Sequence, residues 1–171
     1  MTSIIGSIDN AAILNTQYYL IFTESEVLQF EMMSGKERRR DLYTTQMSNS
    51  LRMVPVAGEI TTYNVTKEEL IKLVDDNISR GKEIEQNIEN ILKEQPPKFV
   101  SLPYGDIHRV ELSNGTPFTL PHLIMDLKLK KLKFHLVRKC YEGRGKLPDE
   151  VFNSYESTLK EAFGDIVSVK D

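Results

Sequence analysis

The stretch FVSLPYGDIHRVEL, residues 99–112, places the strongest constraint on how this chain folds. Val100, Leu102 and Tyr104 share one parity, and so do His108, Val110 and Leu112, with a Pro-Tyr-Gly-Asp bend at residues 103–106. Alternation of this kind is typical of a half-buried strand. Pro103 cannot donate a ladder hydrogen bond, and Gly105-Asp106 favours a bend. The pattern therefore predicts a long strand that is bent or bulged near residue 105.

Three stretches near the N-terminus are rich in β-formers and predict a meander. They are residues 4–14, 18–22 and 27–32, separated by Asn15-Thr16-Gln17 and by a short polar break. From Ser34 the chain changes character, and a long loop is expected there. Residues 51–56 are expected to add a short edge strand, limited by Pro55.

A long helix is predicted over residues 66–94. Thr66 and Glu69 form a capping box at its start, and Gln95-Pro96-Pro97 ends it. Gly81 is a weak point inside it, costing roughly 1 kcal/mol relative to Ala.

The apolar stripe of this helix has two interpretations. A helix of this length spans about 40 Å at 1.5 Å per residue, which exceeds the face of a small barrel. Part of the stripe is then available to a protein partner or to a second copy of the chain. The alternative is that the whole stripe packs along its own domain. The residues nominated as an interface are Ile78, Ile84, Ile88 and Ile91.

The C-terminal third predicts two strands and a helix. In residues 120–137 the apolar parity flips at Lys130-Lys131, which indicates a tight turn or a bulge, and a turn between two strands is favoured. Pro148 begins an amphipathic helix, and Gly164 is a natural residue to end it. The terminal IVSVKD is expected to be either a short strand or a loose tail.

Two of these motifs carry a family resemblance. LPYGDIHRVEL is similar to an I-P-Y-x-D-I-x-x-V run that recurs in bacterial and archaeal PH-like domains, and YYLIFTESEVLQF resembles a hairpin of the same domains. The resemblance, to the PH-like or GRAM-type superfamily, implies an α+β fold: a bent antiparallel β-sheet or open barrel with a C-terminal capping helix. The chain is then a single domain, 1–171, with 34–98 as an insertion made of a loop and the long helix.

The resemblance also implies a kind of ligand. Members of the family commonly bind phosphoinositide headgroups, other anionic lipids or proteins, and lipid-binding members have a basic cluster around the loop joining the first two strands. In this chain that loop is Asn15-Thr16-Gln17, which holds no Lys or Arg. Headgroup recognition is therefore not expected at that position.

Basic residues elsewhere in the chain predict an anion-binding or lipid-binding surface, although the formal net charge of the whole chain is −3. Alternation places several of the later ones on one exposed sheet face, which would suit an anionic membrane or nucleic acid. The alternative is a solvated face whose lysines protect a sheet edge against aggregation. The candidates are Lys36, Arg38, Arg39, Arg40, Lys128, Lys130, Lys131, Lys133, Arg138 and Lys139, with Arg144 and Lys146 nearby.

Nothing in the sequence nominates a catalytic or metal site. The histidines His108, His122 and His135 have no zinc-like spacing, and Cys140 is the single cysteine. Gly143-Arg144-Gly145-Lys146 lacks the spacing of a phosphate loop. We therefore expect a non-catalytic interaction module without a cofactor, in the cytoplasm or at its membrane surface, that binds a protein partner or an anionic membrane. The first alternative is a nucleic-acid-binding protein that uses the basic hairpin 126–146, and the second is a small enzyme whose site the sequence does not reveal.

Overall fold

A computed structural model of the chain describes residues 2–14, 16–32, 67–94, 97–136 and 146–171. The strands are β1 (Ile4–Ile13), β2 (Thr16–Thr23), β3 (Glu26–Glu31), β4 (Phe99–Pro103), β5 (Ile107–Ser113), β6 (His122–Leu127), β7 (Lys131–His135) and β8 (Val167–Lys170). The helices are α1 (Lys67–Gln86), α2 (Ile88–Glu94) and α3 (Asp149–Phe163), with single 3₁₀ turns at Tyr104–Asp106 and Gly164–Ile166. The predicted α+β class and the N-terminal meander are confirmed.

The eight described strands form one open, mixed sheet in the order β4-β3-β2-β1-β7-β6-β5-β8. All neighbours are antiparallel except β5 and β8, which run parallel. The terminal segment is thus a strand, one of the two alternatives that the sequence left open. β1 and β7 share a single paired position, Ala12 with His135, so the sheet divides there into two halves.

The predicted bend draws the two ends of the sheet together. β4 ends at Pro103, the 3₁₀ turn Tyr104–Asp106 follows, and β5 begins at Ile107. Three residues reach at most about 10 Å, yet β4 and β5 lie six positions apart in the strand order. The sheet must therefore curl. Tyr104 holds the bend, because its N–H donates to Ser25 O at 3.1 Å and its hydroxyl donates to the carbonyl of Thr23.

The curled sheet encloses a core that we call the inner core. It is apolar, and α3 covers it. Phe163 at the end of α3 contacts the ring of Tyr104 at 4.7 Å between centroids. Its buried members are Ile8, Ala11, Leu20, Phe22, Val27, Leu102, Ile107, Val110, Leu112, Leu123, Met125, Phe134, Leu136, Leu147, Phe152, Tyr155 and Leu159.

A second cluster, the outer core, lies on the opposite face of β2 and β3, where α1 and α2 cover the sheet. Its buried members are Tyr19, Ile21, Leu28, Phe30, Met32, Ile84 and Ile88. Gly81 seats α1 here, because a Cβ at this position would lie 1.9 Å from Cδ2 of Tyr19. The residue that weakens the helix locally is the one that allows it to approach the sheet.

Two local predictions need correction. The helix predicted as one element over residues 66–94 is broken at Asn87, whose side-chain amide donates to Glu83 O at 3.2 Å. The turn predicted at Lys130-Lys131 comes earlier, since Leu127 N–H bonds to Lys130 O at 2.8 Å and Lys131 already belongs to β7.

Candidate functional site: the lysine-rich hairpin

The hairpin of β6 and β7 has one apolar and one polar face. Phe134 on β7 pairs with Leu123 on β6, and both side chains are fully buried in the inner core. Lys131 and Lys133 alternate with these inward residues and are exposed. The alternation seen in the sequence therefore corresponds to a strand whose apolar side chains pack in the inner core and whose lysine side chains are exposed.

The tip of this hairpin carries an apolar side chain. Leu129 is 98% exposed and lies between Lys128 and Lys130, both also exposed. The turn is held in place, because Lys128 N–H donates to Asp106 O at 3.1 Å and the Lys128 ammonium lies 2.9 Å from Oδ1 of Asp106. The bend between β4 and β5 thus braces the tip and fixes the position of Leu129.

The four lysines of the hairpin differ in their surroundings. Lys128 pairs with Asp106, and Lys131 lies 3.7 Å from Oδ1 of Asp126. Within the described part of the chain, Lys130 and Lys133 form no salt bridge. Lys130 and Lys133 are therefore the cations most available to an anionic surface.

A buried carboxylate lies on the same sheet face, two strands from β7. Glu111 on β5 accepts from Arg109 at 2.8 Å and pairs with Lys170 of β8 at 3.1 Å, and His122 lies 3.8 Å away. Burial acts to raise the pKa of the Glu111 carboxyl, but Lys170, Arg109 and His122 together lower it below its usual value. This network ties the C-terminal strand to the sheet.

The two histidines of the hairpin pair with each other across the strands, at positions 122 and 135. His122 Nδ1 lies 2.9 Å from Leu120 O, and Nδ1 of His135 has no hydrogen-bond partner among the described residues. Burial, Lys133 and His122 lower the pKa of His135, which favours its neutral form. No group of three His, Cys, Asp or Glu side chains in the described residues is placed to hold a metal ion.

The structure separates the four residues nominated as a helical interface. Ile84 and Ile88 belong to the outer core and are 4% and 5% exposed, so they pack against the chain's own sheet. Ile78 and Ile91 are half-buried. Only Ile78 and Ile91 therefore keep surface that a partner would contact without displacing the helix.

The remaining nominated residues lie outside the described part of the chain. These are Lys36, Arg38, Arg39, Arg40, Arg138 and Lys139, together with Arg144 and the edge strand expected at 51–56. Lys146, which is described, pairs with Asp171 at 3.0 Å. The described α-helices include none with the length and apolar composition needed to cross a bilayer.

Comparison with known proteins assigns this chain to no family. No family model, no curated protein and no solved structure matches this chain. Sequence reasoning nominated the lysines of the hairpin but overlooked Leu129 at its tip, although the order Lys-Leu-Lys-Lys in residues 128–131 was a usable signal.

Proposed function

We propose that the protein is a non-catalytic interaction module that associates reversibly with anionic membrane surfaces through the β6–β7 hairpin. The observation that carries this proposal is the position of Leu129, which projects at the tip between Lys128 and Lys130. A bilayer offers acyl chains to an apolar side chain and anionic headgroups to the cations around it.

The energetics favour weak and salt-sensitive binding. Each Lys or Arg near an anionic leaflet contributes about 1 kcal/mol. Asp106 and Asp126 offset part of the charge of Lys128 and Lys131. Inserting Leu129 adds about 1.5–3 kcal/mol if its side chain becomes fully buried. Together these contributions correspond to reversible binding of the protein to the membrane through one hairpin.

A membrane fits this surface better than nucleic acid does. The described outward residues of β6 and β7 are His122, Ile124, Asp126, Lys131, Lys133 and His135, which include no Phe, Tyr or Trp on which bases would stack. An exposed leucine also contributes nothing to phosphate contacts. Nucleic-acid binding therefore becomes an alternative outcome of the experiment.

The same proposal includes the fold family. We infer a PH-like domain in which α1 and α2 belong to an insertion. The bend at Tyr104–Asp106, the open curled sheet and the covering of the inner core by α3 support this inference. A lipid site in such a domain would here use the β6–β7 hairpin.

Co-sedimentation with liposomes tests the membrane proposal. We expect binding to vesicles of phosphatidylserine and phosphatidylcholine at low salt, weakened by added salt, and no binding to pure phosphatidylcholine. Lys130→Glu with Lys133→Glu should abolish binding, and Leu129→Ser should weaken it at unchanged charge. Lys72→Glu with Lys93→Glu is the matched control, because both side chains are exposed on α1 and α2.

Three outcomes would overturn the proposal. One is the absence of binding to anionic vesicles at low salt, and a second is an equal loss of binding in the control variant. The third is salt-sensitive binding to RNA or DNA that the hairpin variants abolish while vesicle binding is absent, which would assign the hairpin to nucleic acid instead.

A further inference from the structure

A cleft of about 740 Å³ lies between the helices and the sheet, away from the hairpin. β1 contributes its floor, α1 one wall and the first turns of α3 the other. This volume is in the range of small-molecule sites. The polar residues that decide its chemistry are Asp9, Tyr19, Lys82, Glu85, Glu150 and Tyr155.

The cleft exists because two close contacts hold the helices on the sheet at different places. Gly81 seats α1 on the ring of Tyr19. Gly6 seats α3 on β1, since a Cβ there would lie 2.5 Å from Oγ1 of Thr158. Between these contacts the polar side chains of β1, Ser7 and Asp9, remain at the bottom of an open groove.

The two tyrosine hydroxyls of the cleft already donate their protons to carboxylates. Tyr19 donates to Oε2 of Glu85 at 2.7 Å, and Tyr155 donates to Oδ1 of Asp9 at 2.5 Å. Ser7 Oγ lies 3.3 Å from the Tyr19 hydroxyl. Lys82, Gln86 and Ser154 also bring donors to the lining, but the tyrosine protons are already used, so the carboxylate oxygens of Asp9, Glu85 and Glu150 are left as acceptors for an incoming molecule.

The charge of the cleft is unbalanced. Asp9, Glu85 and Glu150 bring three carboxylates, and Lys82 brings one ammonium group. In the described part of the chain none of the three carboxylates forms a salt bridge. Burial raises the pKa of the Tyr19 hydroxyl, so it stays protonated as a donor to Glu85. A cation in the groove would compensate the excess negative charge.

We propose that this cleft binds an organic ammonium group. The described residues provide no cluster of three ligands suited to a metal ion, and the volume is larger than a bare ion requires. An alkylammonium group has three donors to match the acceptor-rich walls and a methylene stem to lie against the apolar side chains of Ile4 and Val151. This site is separate from the hairpin and does not depend on membrane association.

Isothermal titration with putrescine tests the proposal. We expect saturable binding at one site, weakened by salt, and no binding of 1,4-butanediol, which has the same length without charge. Glu85→Gln with Glu150→Gln should weaken putrescine binding by about tenfold or more. Glutamine at position 85 still accepts from Tyr19, so the fold is expected to persist, and far-UV circular dichroism checks this.

The matched control makes the same change of charge outside the cleft. Asp75→Asn with Glu161→Gln alters exposed carboxylates of α1 and α3 and should bind putrescine as the wild type does. The proposal is overturned if putrescine and a Gly-Lys-Gly peptide both fail to bind up to millimolar concentration. An equal loss of affinity in the control variant, or equal binding of 1,4-butanediol, would overturn it as well.

The two sources of an ammonium group are separated by competition. Tighter binding of putrescine than of Gly-Lys-Gly would identify a free diamine as the ligand type. Tighter binding of the peptide would identify a lysine side chain of a protein partner. Both outcomes support the site.

Discussion

The outer face of the sheet differs between its two halves, β1–β4 and β5–β8. On β2 and β3 the outer face is covered by α1 and α2, so β2 is almost entirely buried, with apolar side chains on both sides. In β5–β8 the outer face carries Glu111, Lys131, Lys133 and their partners, and the buried apolar side chains lie on the inner face. One continuous sheet thus has a two-sided core at one end and a one-sided core at the other.

This difference is visible in the sequence once the structure is known. The run YYLIF in β2 does not alternate, because both of its faces meet apolar neighbours. The run KLKFH in β7 alternates strictly, because water meets one of its faces. The half that α1 and α2 cover therefore serves stability, and the open half, β5–β8, is the one whose charged side chains face solvent.

The largest effect should follow from placing charge in the covered half. Ile84→Asp with Ile88→Asp puts two carboxylates into the outer core and should lower the free energy of unfolding by more than about 4 kcal/mol. Urea unfolding followed by circular dichroism measures this. Ser79→Asp with Asn90→Asp adds the same charge at exposed positions and should be close to neutral. If the Ile84→Asp, Ile88→Asp variant instead kept wild-type stability but lost a dimer that the wild type forms, the isoleucine stripe would be an interface between copies.

In the open half, β5–β8, substitutions at two adjacent residues of β7 should differ strongly in their effect on stability. Phe134→Ala removes a fully buried ring and should cost about 3–5 kcal/mol. Lys133→Ala changes the exposed face of the same strand and should stay within about 0.5 kcal/mol. Denaturant midpoints of the two variants give the comparison. Similar losses at both positions would mean that the outer face of β7 is covered as well.

A substitution at the position where α1 packs on β2 should have an intermediate effect on stability. Gly81→Ala favours the helix by about 1 kcal/mol, but the new methyl group meets the Tyr19 ring. Overpacking should prevail and give a net loss of about 1–2 kcal/mol. Gly105→Ala is the control, since no atom lies within 4 Å of a Cβ at that position. Stabilisation by Gly81→Ala would show that α1 does not rest on Tyr19.

The smallest effect concerns the charged network of the open half and depends on pH. Because the pKa of Glu111 in the folded state lies below its ordinary value of 4.5, the ionised carboxylate stabilises the fold above pH 4.5. That contribution is lost as the pH falls through the folded-state pKa. Wild type and Glu111→Gln should therefore differ in thermal stability at pH 7 and converge in acid. A difference that persists unchanged in acid would exclude the ionic explanation, and Glu161→Gln provides the control.

Sequence reasoning succeeded where the signal is local. Pro103 and Gly105 predicted the bend, and Gly164 does end α3, with a φ of 60°. It was less successful where a distant contact competes with a local pattern. The turn of the hairpin lies earlier than the parity flip predicts, because Asp106 binds both the backbone and the ammonium group of Lys128.

The candidate sites show the same division. The lysines of the hairpin were predicted from alternation alone, whereas the cleft was not predicted at all. Tyr19 and Glu85 are separated by 66 positions in the chain, and Asp9 and Tyr155 by 146. No spacing in the sequence indicates that these groups meet.

The sequence by itself determined the strand bend, the meander, the polar face of β7 and the ends of α3, since short-range sterics and hydrophobic periodicity decide those features. Tertiary structure decided that Gly81 packs against the ring of Tyr19, that β8 lies parallel to β5 and that several carboxylates lie in the cleft between α1 and α3. The physical reason is that these contacts depend on how far the sheet curls. That curvature is set by all the strands and helices packing together, and no short segment of the chain determines it.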